Sequence, residues 1–264
     1  MSRRRLGQHF LNDFSVIHRI VEAAELEPTD HVFEIGPGKG AISYPLAGTG
    51  ASVTSLELDE ALAAGLEERA PKGLRVVRGD ALTTDYPSLL STRVRAKSVL
   101  VANLPYRITG ALLERILEAG CWDRAVLMVQ REVGRRLAAE VGSKDYGILT
   151  VAANLRSTVE YLFSVPPESF KPPPKVVSSV VRLRFGERVE IGDEKLFFRI
   201  VRTAFQQRRK MLRNSLESAI DGSVEDVLGA ASVDPQTRPE NLSVEAFERI
   251  CRTYTHLKSR SRGE

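Results

Sequence analysis

His31-Val32-Phe33-Glu34-Ile35-Gly36-Pro37-Gly38-Lys39-Gly40 decides the fold of this chain: an apolar run too short for a helix empties into three glycines, and an apolar-periodic stretch follows through Leu46. That order reads as strand, glycine loop, helix. Upstream, Val16, Ile17, Ile20, Val21 and Ala24 recur at helical spacing and stop near Glu27-Pro28, so a helix precedes the first strand. Downstream the pattern repeats. Ser52 to Leu58 is a second strand, ending at Glu57-Leu58-Asp59 before helix-forming Glu60 to Glu68, and Leu74 to Arg78 is a third, ending at Gly79-Asp80-Ala81. The apolar run Val99 to Ala102 is a fourth. It stops at Asn103-Leu104-Pro105-Tyr106, with Thr109 as the cap of a helix through Glu118; Ala125 to Gln130 is a fifth, followed by helix-forming Glu132 to Glu140. This alternation predicts an α/β fold with a doubly wound parallel sheet covered on both faces, and such sheets bind ligands at the carboxyl ends of their strands.

The rest of the chain has a different texture. Val159 to Val165 and Val176 to Phe185 are β-rich and flank Pro166-Pro167-Glu168-Ser169-Phe170-Lys171-Pro172-Pro173-Pro174-Lys175, whose prolines hold a loop stiff and extended. Gly186 to Glu194 reads as a linker. From Leu196 the pattern is helical, which predicts a small α-helical C-terminal domain whose first helix contains Phe205 to Arg213. The expected domains are therefore residues 1–186 and 187–264.

Composition narrows the function classes. The 264 residues are 42% hydrophobic and 27% charged, values of an ordinary soluble globular chain. Net charge is only +4, yet the pI is about 9.1, so the placement of the basic residues matters more than their sum. Arg3-Arg4-Arg5, the run from Arg199 to Arg213, and Lys258, Arg260 and Arg262 permit a polyanionic partner. Cys121 and Cys251 stand alone, which fits a reducing compartment, and His9, His18, His31 and His256 are too scattered for a metal site. No signal peptide or apolar run of transmembrane length is present, so the expected address is the cytoplasm, with a monomer as the default state.

Four strand ends carry the unusual residues. Gly36-x-Gly38-x-x-Ala41 lets a ligand approach backbone at a helix N-terminus, and Glu57 follows Gly36 by 57 − 36 = 21 residues, where an acid accepts hydrogen bonds from ribose hydroxyls. This serves NAD and S-adenosylmethionine equally. Asp80 suits an adenine amino group and the Ala81 N–H a ring nitrogen. The competing local readings are an acidic helix cap for Glu57 and a turn residue for Asp80. No Walker-type loop occurs, which argues against nucleoside triphosphate hydrolysis. Asn103 to Tyr106 separates the two cofactors, because a hydride transferase needs an acid or base that these strand ends do not offer. An exocyclic adenine nitrogen is a poor nucleophile, its lone pair being delocalised into the ring. Accepting its two protons at Asn103 Oδ1 and at the Leu104 carbonyl returns density to nitrogen, while Tyr106 stacks on the base; this is catalysis by positioning and electrostatics.

Taken in order, Gly7-Gln8-His9-Phe10-Leu11, Glu34 to Gly40, Glu57-Leu58-Asp59, Gly79-Asp80-Ala81, Asn103 to Tyr106, Met128 to Val133, Tyr146-Gly147, Pro166 to Ser178 and Phe205 to Arg213 resemble the rRNA adenine N6,N6-dimethyltransferases of the KsgA/RsmA type. The resemblance covers almost the whole chain. It implies a Rossmann-like class I methyltransferase sheet with S-adenosyl-L-methionine as donor. The implied substrate is a pair of adjacent adenines in the 3′-terminal hairpin loop of small-subunit (16S) rRNA, with a role in small-subunit biogenesis. By the family's pattern His9 and Leu11 cover the cofactor, Gly36 lies beneath it, Glu57 holds the ribose, Asp80 the adenine, and Asn103 sits where cofactor and target base meet. Phe170 is then the second face of a base sandwich with Tyr106. Loop adenines are the ones most cheaply splayed into such a pocket, and Arg208, Arg209, Lys210 and Arg213 are expected to grip RNA phosphates.

Two positions depart from the pattern: Arg107 stands where many relatives carry asparagine, and only six residues precede Gly7. Two other functions compete. One is a large-subunit rRNA adenine methylase of the antibiotic-resistance type, disfavoured by Leu104 and the long Phe205 to Arg213 element. The other is an assembly factor acting mainly by RNA binding, disfavoured by the intact Glu57, Asp80 and Asn103.

Overall fold

The computed structural model describes residues 9–90, 96–186 and 189–260. Arg3 to Arg5, Gly7, Gln8 and Arg262, singled out above, lie outside the described residues. The strands are β1 (Phe10–Leu11), β2 (His31–Ile35), β3 (Ser52–Glu57), β4 (Leu74–Arg78), β5 (Ser98–Asn103), β6 (Arg124–Gln130), β7 (Ser157–Val165), β8 (Phe170–Lys171) and β9 (Ser178–Phe185). The helices are α1 (Phe14–Ala23), α2 (Ser43–Gly48), α3 (Glu60–Glu67), α4 (Tyr86–Leu89), α5 (Thr109–Glu118), α6 (Arg131–Leu137), α7 (Ile148–Asn154), α8 (Glu194–Gln206), α9 (Leu212–Ser215), α10 (Val224–Ala230) and α11 (Val244–Arg260).

Strands β2 to β6 pair in parallel as predicted, within a seven-stranded sheet of order β4-β3-β2-β5-β6-β9-β7. The order reverses between β2 and β5, the place where doubly wound sheets take their ligands. Every residue of β2 is buried, because helices cover both faces of a parallel strand. One face packs Val32, Val53, Val99, Val101 and Val126 against Ile17 and Ile20 of α1 and Leu46 of α2. Phe33, Tyr86 and Trp122 meet as a tilted aromatic trio with ring centroids 5.5 to 5.7 Å apart. The sheet is not purely parallel. Strand β9 runs antiparallel to β6, Gln130 opposite Ser178, which the strand-helix alternation gave no means of foreseeing.

Contacts divide the chain into two compact units, Met1–Gly134 with Thr158–Gly186, and Arg135–Ser157 with Glu187–Glu264. The expected division at 186/187 leaves out this excursion. Arg135–Ser157 groups with the helical unit because Tyr146, Val151 and Leu155 join its core, with Tyr146 donating to the Leu242 carbonyl at 2.7 Å.

Two local expectations need correction. Thr109 is not a cap: it lies inside α5 and its hydroxyl donates to the Pro105 carbonyl at 2.9 Å, while Ile108 holds the N-cap position. Phe205 to Arg213 is not one helix. α8 ends at Gln206, Gln207 leaves helical geometry at φ −120° and ψ 47°, and Arg208 to Lys210 form a turn before α9. Buried Leu212 and Leu216 anchor the second piece on its own core contacts.

Candidate active site

The parallel register aligns the strand ends. Ile35 lies beside Leu56 and Ala102, Glu57 beside Arg78, and Asn103 beside Met128, so Gly36, Glu57, Asp80 and Asn103 leave the sheet at one edge. Gly36 turns there with φ +71°, its N–H on the Leu56 carbonyl at 3.0 Å. A Cβ on Gly36 would lie 4.0 Å from the Asn103 carbonyl oxygen, which links β2 and β5 directly. Gly38, at φ +58°, leaves room for Phe10: a Cβ there would meet the Phe10 ring at 3.2 Å. Both conformations are ones that side-chain-bearing residues rarely adopt.

Glu57 is buried and stitches the edge together. Its carboxylate accepts the Gly38 N–H and the Asp59 N–H, each at 2.9 Å, and each oxygen keeps a second acceptor position for a ribose hydroxyl. Asp59 is committed to capping α3, accepting from the N–H groups of Ala61 and Leu62. Asp80 accepts the Leu82 N–H at 2.8 Å through Oδ1, and among the described residues Oδ2 takes no hydrogen bond. Leu58, 54% exposed between Glu57 and Asp59, offers an apolar face at the same edge. Sequence reasoning passed over it, although an exposed leucine immediately after the acid of a strand end was the available signal.

Beneath the glycine loop lies a second acid. Glu34 is fully buried on β2, and burial pushes its carboxyl up to about 7 despite neighbouring Ser43 and Ser55, with the Glu57 charge adding to the push. Ser55 Oγ donates to Glu34 at 2.6 Å, whereas Ser43 Oγ faces the carboxyl without reaching hydrogen-bond geometry.

At the end of β5 the Leu104 N–H binds the Met128 carbonyl at 3.0 Å, and α5 is entered through the Pro105 carbonyl, which accepts from Ile108 and Thr109. Among the described residues the Leu104 carbonyl and the half-buried Asn103 side chain take no hydrogen bond. Pro105 keeps Leu104 extended and so leaves its carbonyl out of the helix. Tyr106 is anchored by a 2.5 Å hydrogen bond to Ser178 Oγ, and burial raises the phenol against that pull. The ring that meets Tyr106 is His9, at 6.3 Å and 28°, with His9 Nδ1 2.7 Å from the Pro172 carbonyl. Leu11 is buried and pairs with Phe170 across β1 and β8. Phe170 itself is 3% exposed and packs in the core with Val16, Ile17 and Val165, so the Tyr106–Phe170 sandwich is not formed in this structure.

The edge fits an adenosyl group carrying a reactive methyl: bare glycine backbone, an acid with free acceptor positions, an apolar leucine, and two unused carbonyl acceptors side by side. The basic residues are placed in the helical unit. Arg208 donates to the Ser143 carbonyl at 3.2 Å and lies 3.8 Å from Glu240, Arg213 lies 3.8 Å from Glu225, and Arg209 and Lys210 are exposed. Arg107 is exposed as well. Among the described residues no cluster of His, Cys, Asp or Glu suits a metal ion.

The family profile of ribosomal RNA adenine dimethylase matches residues 1–256. A ribosomal RNA small subunit methyltransferase A from Pseudomonas aeruginosa is 42% identical over 265 residues, covering 97% of this chain and 96% of its own. One from Desulfitobacterium hafniense is 43% identical over 259 residues, covering 94% and 91%. Among solved structures, a dimethyladenosine transferase from Plasmodium falciparum matches with a TM-score of 0.80 at 25% identity over 97% of this chain and 98% of its own. The 23S rRNA methyltransferase ErmE matches with 0.72 at 29% identity, over 93% and 99%.

Proposed function

The chain belongs to the ribosomal RNA adenine dimethylase family, and from that premise we propose how its own residues carry out S-adenosylmethionine-dependent dimethylation of two adjacent adenines in the 3′-terminal hairpin loop of small-subunit rRNA. The observation that carries the reading is the pair of unused acceptors at the end of β5, Asn103 Oδ1 and the Leu104 carbonyl, next to the Gly36 turn. S-adenosylmethionine supplies an electrophilic methyl group when bound. Glu57 accepts from its ribose, Asp80 from its adenine, Leu58 covers the base, and His9 and Leu11 close over it.

Asn103 and the Leu104 carbonyl hold the two amino protons of the target adenine, which keeps its nitrogen lone pair out of the ring and aimed across the edge. One proton leaves to water after each transfer, and no side chain has to act as a base. After the first methylation a single N–H remains to be held. Tyr106, fixed by Ser178, stacks on the base. For Phe170 to serve as the second stacking wall it must leave the core; held where it is, it mounts β1 on β8.

The helical unit takes RNA phosphates through Arg208, Arg209, Lys210 and Arg213, and the working form is a cytoplasmic monomer engaging a precursor of the small subunit. No described helix is long and apolar enough to cross a membrane. The test is methyl transfer from labelled S-adenosylmethionine to unmethylated small subunits, followed by mapping of the modified bases. Two adjacent dimethyladenines near the 3′ end are expected; label confined to large-subunit RNA would overturn the assignment.

A further inference from the structure

In the helical unit the first two turns of α8 and the last turns of α11 enclose a cleft of about 620 Å³, a volume typical of small-ligand sites. Leu196 forms its apolar floor. Lys195 and Arg199 stand four residues apart on one wall, and among the described residues neither makes a hydrogen bond or ion pair. Like charges at that spacing repel one another along a helix, so the arrangement costs stability unless an anion lies between them.

The other wall is organised. Lys258 donates to Asp221 at 2.6 Å and to the Tyr254 hydroxyl at 3.2 Å, and Tyr254 donates to the same Asp221 oxygen at 3.0 Å. One N–H of the Lys258 ammonium is left over. Two acids are near: Asp221 is matched by Lys258, and Asp193 lines the cleft but caps α8 through the Leu196 N–H at 2.9 Å. The unbalanced charge belongs to Lys195 and Arg199.

We propose that this cleft is a second phosphate-binding surface, separate from the Arg208 to Arg213 segment, which takes consecutive phosphodiesters of the RNA substrate. Lys195 and Arg199 straddle one phosphate, Lys258 meets the next, and the sugar lies over Leu196. The inference rests on the proposed RNA substrate, and the shared chemistry of a small phosphorylated ligand is the competing source.

The test compares wild type with Lys195→Gln/Arg199→Gln, two exposed positions whose change leaves thermal unfolding and S-adenosylmethionine binding unaltered. Binding to unmethylated small subunits is measured across a salt series, with and without millimolar adenosine monophosphate. Dissociation constants about tenfold higher and a salt slope shallower by about 1.5 are expected, since each lost phosphate contact removes roughly 0.7 to 0.9. An unchanged slope and affinity overturn the proposal. So does competition by adenosine monophosphate in wild type with unaltered subunit affinity in the variant, which would reassign the cleft to a small ligand. Failure of wild type to methylate small subunits is read separately and overturns the functional reading instead.

Discussion

Glu34→Gln is the sharpest perturbation this structure offers. The side chain is fully buried on β2, and burial holds its carboxyl at about 7 against an ordinary value of 4.5. A carboxyl raised in the folded state contributes stability that is complete below its unfolded value and is lost as pH rises through its folded value. Between about pH 5 and about pH 8.5 the wild-type chain should therefore lose about 2.5 kcal/mol that glutamine, an uncharged isostere of the protonated acid, does not lose. Urea unfolding of both proteins at the two pH values gives the difference, and other titrating groups cancel because they are common to both. The variant should match wild type to within about 1 kcal/mol at the acid end and exceed it by about 2 kcal/mol at the alkaline end, with unchanged m-values. A difference independent of pH would show that the Ser55 hydrogen bond keeps the carboxylate ionised, and the argument from burial would fail.

Asn103→Ala should lower methyl transfer at least about 100-fold while small-subunit affinity stays within about twofold, because only the transferring geometry loses an acceptor; undiminished turnover refutes the acceptor role. Arg209→Glu should weaken subunit binding about tenfold and flatten its salt dependence without touching cofactor affinity, whereas Arg208→Glu adds a loss of stability by facing Glu240; calorimetry of cofactor binding beside filter binding separates the two. Glu25→Ala strips the carboxylate shared by Arg182, Arg184 and buried Arg124, and should cost about 2 kcal/mol in urea unfolding. The Arg184 hydrogen bond holds Glu25 below its ordinary value of 4.5, so this contribution is present above that pH and lost as the pH falls below it; the gap between wild type and variant should close on acidification, and a constant gap refutes the pairing.

Local pattern carried a long way in this chain. Strand β2, its glycine loop and the acid at the end of β3 were legible because a buried parallel strand, a positive φ and a ribose acceptor each demand particular residue types at particular spacings. The unused carbonyl of Leu104 was legible for the same kind of reason, since Pro105 constrains its predecessor. What depended on distant partners was not. Nothing in Phe205 to Arg213 announces a break at Gln207, because Leu212 takes its place from contacts across the helical core and not from helical phase with Phe205. Phe170 reads as a stacking ring by its position in a proline loop, yet pairing of β8 with β1 turns it inward beside Leu11. The Glu25 cluster joins residues more than ninety positions apart, and no local motif marks it.

The chain leaves the sheet unit at Gly134, returns at Thr158 and leaves again at Gly186. During synthesis the ribosome therefore delivers β6 before the strand that covers its outer side, and must emit Arg135–Ser157 before any of α8 to α11 exists to receive Tyr146, Val151 and Leu155. A fragment cut after residue 186 would keep its seven strands but present those three apolar side chains to water, and should aggregate or be trimmed by proteases within that segment. A circular permutant opened in the loop between α10 and α11 would respect every such partnership, and is the rearrangement this connectivity tolerates best.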